Sequence, residues 1–487
     1  MKESAYYHKQ LIPDFVGNPL IEALPPPEDP GNWPKLLMVI PDYSEKERQA
    51  KAGWRLTCLQ KISQLHLPTD ADVSLMHNLS RCIRWSYANR NPIPLEDVKR
   101  FIVADGFDIT ENLTKSTFNA CQSPLYGFPV LGVSGVGKTT SVENALTLFP
   151  QVISHSSFRD IKFEAEQLVW LKVDCPPDGS QKGLCSSILR GIDNVLETNY
   201  TESILRNRMS KDVLLNKVSQ LIQSLYLGVL VIDDIQNLCG AKNNVSKELL
   251  NFMISLSNSM KIPVVMVGSP KILNLLQNEF QQAKRASGEG EVRMELMKKD
   301  SNEWKRFIKT VWRYQYTAKP VELTEEMNEI FFNESVGNPF VASTLYKIVQ
   351  DDAIISRKES FSVADVKRVA NDKMGITANM RKNMLAGVDA ELNLYKHLLE
   401  ARVIPDQDVN SNIENENAAK PKEADFSKLV TEISAKLEKL SVSTKLARSY
   451  ARQSVAAYPH ENNVDILFAY ALSLHMKNGG QPVGQNQ

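Results

Sequence analysis

Two short stretches hold residue types at spacings that can do chemistry. "GVSGVGKT", Gly132 to Thr139, fits G-x-x-x-x-G-K-[ST] at every position. Its glycines let backbone N–H groups converge on phosphate oxygens with no Cβ in the way. A helix starting there adds the partial positive charge of its N-terminus. The expected cradle is Gly132, Val133, Ser134, Gly135, Val136, Gly137, Lys138, Thr139 and Thr140. Within it Lys138 reaches the β- and γ-phosphates of ATP, and the Thr139 hydroxyl holds magnesium. A plain glycine-rich turn is the alternative, but here an apolar strand precedes the loop and an amphipathic helix follows it.

The second stretch is "VLVIDDIQNL", residues 229–238. Its apolar run reads as a buried strand that delivers Asp233 and Asp234 to one end. With a phosphate loop upstream, Asp233 is the expected second magnesium ligand. Asp234 is placed to orient and polarise an attacking water. An acidic strand end facing solvent is the bland alternative. Many nucleotide hydrolases carry Glu at the second position, and Asp is shorter by one C–C bond, about 1.5 Å. Slow hydrolysis is therefore expected. Ser269, at the end of "VVMVGS", offers a hydroxyl to the γ-phosphate or the water; otherwise it is a strand-end turn residue.

These residues need a scaffold. Apolar runs at "FPVLGV", "LVWLKVDC" (168–175), "GVLVIDD" (228–234) and "IPVVMVGS" (262–269) alternate with helical patterns such as "KGLCSSILRGIDNVL" and "SKELLNFMISLSNSM". Strand–helix alternation predicts an α/β fold, a parallel sheet covered by helices. Residues 301–385 are mostly helical patterns broken at "VGNP", as a lid would be. Five segments are expected: an arm and helical extension over 1–115, the α/β core over 116–300, the lid over 301–385, a helix and polar linker over 386–425, and a helical segment with a loose tail over 426–487. The first 45 residues are rich in proline and aromatics, which disfavours long helices and sheet interiors. They read as a solvated terminus or as a segment docking on a partner or neighbouring subunit.

The bulk numbers exclude little but narrow the class. The chain has 487 residues, 43% hydrophobic and 23% charged, as in ordinary globular proteins. Lys+Arg and Asp+Glu balance at 57 each, which does not point to a polyanion binder and leaves room for a local basic surface. None of the six cysteines forms a C-x-x-C pair, so free thiols in a reducing cytosol are expected rather than zinc. No apolar run approaches the roughly 18 residues of a membrane span, and "MKESAYYHKQ" lacks a signal-peptide core. A cytoplasmic protein is the reading.

Phosphate loop, "VIDDIQ" and "VVMVGSP", with a helical segment after them, resemble the AAA+ ATPases. "NPLIEALPP", "LGVSGVGKTTSVENAL", "VWLKVDC", "GSQKGLC" and "NEWKRFIKTVWRYQ" are similar to the TnsC/TniB group, bacterial transposition regulators of Tn-seven-like transposons. The likeness runs from the arm to about residue 385 and is strongest between 130 and 315. It implies an AAA+ P-loop fold and an ATPase, with ATP and Mg2+ as a switch. It implies self-assembly into a ring or helical filament of about six or seven subunits per turn on double-stranded DNA. It further implies a target-selector protein of the TnsD/TniQ type at the N-terminal region and transposase subunits of the TnsA/TnsB type at the C-terminal region.

In such assemblies a neighbour supplies an arginine near the γ-phosphate. Arg285 occupies the matching place, with Arg293 as runner-up; a solvated basic helix end is the alternative. Non-specific phosphate contacts would fall to Lys182 in "PPDGSQKG" and to Arg206, Arg208 and Lys211 in "LRNRMSK", each otherwise a solvated charge. One departure concerns the lid, where relatives carry Arg three residues after Gly. Here Phe340 follows Gly337 at that spacing, so a sensor arginine in cis is not expected. The other is Asp234, which replication initiators such as DnaA share in an "IDDIQ" strand end. Two rivals remain open: a replication initiator or helicase loader, and an ATP-binding platform with little turnover. A processive motor lacks its aromatic pore-loop signature.

Overall fold

The computed structural model describes residues 2–88, 90–108, 127–205, 210–240, 243–272, 290–375, 423–438, 442–457 and 471. Two compact units divide the chain, Met1–Ile404 and Pro405–Gln487. In the first, β1 (Lys2–Ser4) is followed by short helical turns and by helices α1 (Asp70–Ala88) and α2 (Leu95–Ala104). Then come β2 (Phe128–Gly132), α3 (Lys138–Leu146), β3 (Val152–Phe158), β4 (Ile161–Leu168), β5 (Trp170–Asp174), α4 (Gln181–Leu196) and α5 (Lys211–Ser224). β6 (Val229–Asp233), α6 (Asn243–Met260), β7 (Val264–Gly268) and β8 (Val292–Met294) complete the core.

The five core strands form one parallel sheet in the order β5-β6-β7-β2-β8. Parallel sheets are covered on both faces, so their strands read as unbroken apolar runs. β2, β6 and β7 are buried at every residue. Side-chain alternation splits each run between two cores. Leu230, Ile232, Val264 and Met266 pack with Ile188, Leu189, Val218, Ile222 and Leu256 of α4, α5 and α6. Val229, Val231, Val265 and Val267 pack on the other face with Leu75, Leu79 and Ile83 of α1 and Val142 and Ala145 of α3. The strand order turns back around β2, and in open α/β sheets the crevice at such a switch point takes the ligand. The phosphate loop leaves β2 there.

Two features depart from the expectations. The strand expected over 168–175 is present as β5, Trp170–Asp174, while Leu168 ends a separate strand, β4, that was not expected. β4 ends at Leu168 and β5 begins at Trp170, with Val169 N–H turned to the Gln151 carbonyl. β4 reads I-K-F-E-A-E-Q-L, a period-two alternation, and pairs antiparallel with β3. β1 adds to β3 in parallel, making a second, three-stranded sheet.

The arm is the other. It packs along its apolar residues on its own chain's core: Phe15, Leu20, Ile21, Leu24, Trp33 and Leu37 join the α1–α3 face of the sheet. Each fully buried aliphatic contributes roughly 1.5–3 kcal/mol. The prolines sit where they help. Pro19 starts a helical turn capped by Asn18, whose other amide end donates to the Tyr87 carbonyl at 2.9 Å.

The lid is four helices: α7 (Asn302–Val311), α8 (Glu325–Ser335), α9 (Pro339–Ile355) and α10 (Val363–Lys373). Each starts on a side-chain cap, from Ser301, Thr324, Asn338 and Ser362 in turn, and the last is a capping box with Asp365. Trp304, Phe331, Tyr316 and Tyr346 centre their core, and Leu59 and Ile62 from the N-terminal region enter it. Arg55 clamps Glu359 with two bonds of 2.7 Å. The N-terminal region is thus fastened to sheet and lid alike.

In the second unit α11 (Glu423–Glu438) and α12 (Thr444–Ala457) pack through Ile433, Leu437, Val442, Tyr450 and Ala451. Among the described residues no helix is long and apolar enough to cross a membrane. The described cysteines, Cys58, Cys82, Cys175, Cys185 and Cys239, are free, and Cys239 is exposed. Burial pushes the Cys175 and Cys185 thiols up to about 12.

Candidate nucleotide-binding site

A cavity of 780 Å³ opens at the C-terminal ends of the sheet strands. Ser134 through Ser141, Asp233, Asp234, Gln236 and Ser269 line its sheet side. Gly132 ends β2, and the loop that follows takes positive φ at Gly135 (83°) and Gly137 (101°), a region that favours glycine. Gly137 is also the N-cap of α3. The loop therefore aims backbone N–H groups and a helix N-terminus into the cavity, as an anion cradle requires. Lys138 Nζ donates to the Val133 carbonyl at 3.0 Å across the loop. Thr140 continues α3 on the cavity wall.

Strand β6 brings the acids to this loop. Thr139 Oγ1 donates to Asp233 Oδ2 at 2.8 Å, so the two expected magnesium ligands are adjacent. Two hard oxygens with room for phosphate oxygens suit Mg2+, which keeps few protein ligands. Among the described residues no cluster of three or more His, Cys, Asp or Glu forms a metal cage. Asp233 is only 4% exposed, and its charge is met by Lys172 Nζ at 3.3 Å, which also reaches Glu143 at 3.0 Å. Burial pulls the Lys172 ammonium down, and Glu143 and Asp233 more than offset it, so it titrates above its ordinary value.

Asp234 is exposed at the cavity, on left-handed backbone at φ 53°. Its N–H donates to Asp233 Oδ1 at 2.8 Å, and its Oδ1 accepts from Gln236 Nε2 at 2.8 Å. Ser269 ends β7, 7% exposed, and its Oγ is buried without a hydrogen-bond partner. A buried hydroxyl costs free energy until something pairs it, and the residue that carries this one lines the cavity.

The other walls were not legible beforehand. Residues 62–72 close one side. There His66 Nε2 hydrogen-bonds Asp72 Oδ1 at 3.1 Å, and Thr69 N–H and hydroxyl donate to Asp72 Oδ2. Burial would raise the Asp72 carboxyl; bonds from His66, Ser141 and Thr69 hold it below its usual range. Pro339, Phe340, Ser343 and Thr344 of α9 close the opposite side. Phe340 is 59% exposed, and its backbone N–H donates to the Gly135 carbonyl at 3.3 Å. Asn338 Nδ2 donates to the Ser134 carbonyl at 2.9 Å, so the lid is bonded to the phosphate loop itself. Asn338 before Pro339 was readable as a helix cap; its bond to the loop was not.

Arg293, on β8, lines this chain's own cavity and is ion-paired with Glu291. Lys182 is exposed in the first turn of α4, and Lys211 opens α5, paired with Glu248. Arg285, Arg206 and Arg208 lie outside the described residues.

The comparisons agree with this geometry at one level. Residues 128–276 match the family model described as an AAA domain. No curated protein matches the chain. Two solved structures are distantly similar. One is the Aeropyrum pernix ORC1 protein in complex with DNA, 13% identical with a TM-score of 0.37, over 81% of this chain and 87% of that one. The other is the Thermotoga maritima RuvB Holliday junction branch migration motor, 16% identical with a TM-score of 0.29, over 64% and 83%. With the phosphate loop after β2, the acids at the end of β6 and a five-stranded parallel sheet, the described core has the AAA+ P-loop fold, and residues 128–276 match the AAA domain model.

Proposed function

We propose that the protein is an ATP-dependent regulator of DNA transposition. In this reading it oligomerises on duplex DNA and connects a target-selection protein to a transposase. The observation that carries the nucleotide half is the Thr139–Asp233 bond beneath a complete phosphate loop. Lys138 turns from the Val133 carbonyl to the β- and γ-phosphates of ATP. Thr139 and Asp233 would hold Mg2+, which would supply positive charge against the phosphates. Asp234 orients the attacking water, and the unpaired Ser269 hydroxyl donates to the γ-phosphate.

The transposition half rests on the sequence resemblance. So do the target selector at the N-terminal region, the transposase at the C-terminal region, an Arg285 donated to a neighbour's ATP, and DNA phosphate contacts from Lys182, Arg206, Arg208 and Lys211. Imaging the protein on duplex DNA with ATP, ADP and a non-hydrolysable analogue tests assembly. Nucleotide-gated rings or filaments support the regulator; monomers throughout sink it. One observation favours a second reading, an ATP-binding platform with little turnover: Asp234 is a short acid on exposed, left-handed backbone. Asp234→Glu separates them, because turnover rises if side-chain length limits it and stays flat otherwise.

A further inference from the structure

We propose that Gln236 is a positioning residue for hydrolysis, holding the Asp234 carboxylate at a fixed place against the end of β7. The inference rests on the reading of Asp234 as the group that orients water. One carboxamide spans both elements. Its Nε2 donates to Asp234 Oδ1 at 2.8 Å, and its Oε1 accepts the Ser269 N–H at 3.1 Å. The chemistry of the two ends sets its orientation, since the reversed amide would face carbonyl to carboxylate and NH2 to N–H.

The surroundings are shaped for this bridge. A Cβ at Gly268 would lie 2.6 Å from Gln236 Oε1, so glycine there allows the close approach. On the other side the Asp234 backbone is set by its bond to Asp233 Oδ1 and its left-handed φ. The side chain keeps only its own two torsions, and Gln236 removes that freedom by holding one carboxylate oxygen. Oδ2 is left for water. Ser269, a cavity-lining residue whose buried hydroxyl is unpaired, is tied through its own N–H to the same carboxamide. Acid and hydroxyl are thereby kept in register although they sit on different strands. A shorter acid gains most from such a restraint, because it cannot reach the water by extending.

A clip that merely secures the end of β7 is the competing role, and Gln236→Glu distinguishes the two. Glu keeps the length and the acceptor for Ser269 N–H but sets a carboxylate against Asp234. The experiment measures single-turnover ATP hydrolysis and the Kd of a fluorescent ATP analogue on the full chain, for wild type, Gln236→Ala and Gln236→Glu. Both variants are expected to lose about 10-fold or more in turnover while Kd stays within about 2-fold, which also shows that they fold. Wild-type turnover in Gln236→Glu overturns the positioning role in favour of the clip. Faster turnover in Gln236→Ala overturns it in favour of an inhibitory latch. A parallel loss of binding overturns it as a folding effect. Wild type that binds but never turns over removes the hydrolytic reading and this inference together; wild type that turns over beside an intact Gln236→Glu removes this inference alone.

Discussion

The two long walls of the cavity are built on different principles. The sheet wall carries the charge: Lys138, Asp233 and Asp234, with Lys172 Nζ 3.3 Å from Asp233. The lid wall presents Pro339, Phe340, Ser343 and Thr344 with Glu303 and Phe307, no cation among them, and it reaches the loop through Asn338 and a backbone N–H. At Phe340 this lid offers a phenyl ring, 59% exposed. The sheet wall can therefore attract phosphates by charge, and the described lid residues offer them no cation. Among the described residues the lysine and arginine lining the cavity are Lys138 and Arg293, both on the sheet side.

The contrast is easiest to break at Lys138. Lys138→Ala removes the cation reaching the phosphates, and nucleotide affinity should fall by at least about 100-fold in a binding titration. Asp234→Asn should lower turnover by about 100-fold with Kd nearly unchanged; intact turnover would mean the assigned role is wrong. On the lid side Asn338→Ala strips a helix cap and leaves the Ser134 carbonyl without that donor. It should cost about 1–3 kcal/mol in denaturant unfolding, with only a few-fold loss of nucleotide affinity.

A smaller effect concerns acid. Arg55 holds the Glu359 carboxyl below its ordinary value against the opposing pull of burial. That stabilisation is fully present above the unfolded carboxylate value, about 4.3, and is lost as pH falls through the lower folded value. Glu359→Gln should lower the unfolding midpoint at neutral pH and flatten the acid limb of midpoint against pH. The smallest change is expected from Phe340→Ala: stability within about 0.5 kcal/mol and nucleotide affinity within about 3-fold. A large loss of γ-phosphate discrimination there would erase the distinction between the walls.

How much could be read in advance follows the same division. The phosphate loop, Asp233 and the buried strands are local patterns, so their identity and order were legible. The strand over 168–175 was legible as β5, but β4 before it was missed because its apolar end runs directly into β5, although I-K-F-E-A-E-Q-L already showed the alternation of a half-exposed strand. The arm was harder. Its prolines signal broken secondary structure, and nothing in composition says that Leu20, Ile21 and Leu24 reach the sheet face packed by α1 and α3. His66 and Asp72 gave no motif at all, and Gln236 was an ordinary residue in "DDIQ".

By itself the sequence determined which groups stand together as a candidate phosphate cradle, because the loop, its lysine and its helix start lie within a dozen residues of one another. It also determined the two-sided sheet, since period-two burial follows from strand geometry alone. Only the tertiary structure decided who faces that cradle. Asn338 meets Ser134, Gln236 joins Asp234 to Ser269, and residues 62–72 close the cavity, all through hydrogen bonds and packing across elements distant in the chain. Such pairings depend on how two surfaces fit, and fit is a property of the assembled sheet, lid and arm rather than of any stretch within them.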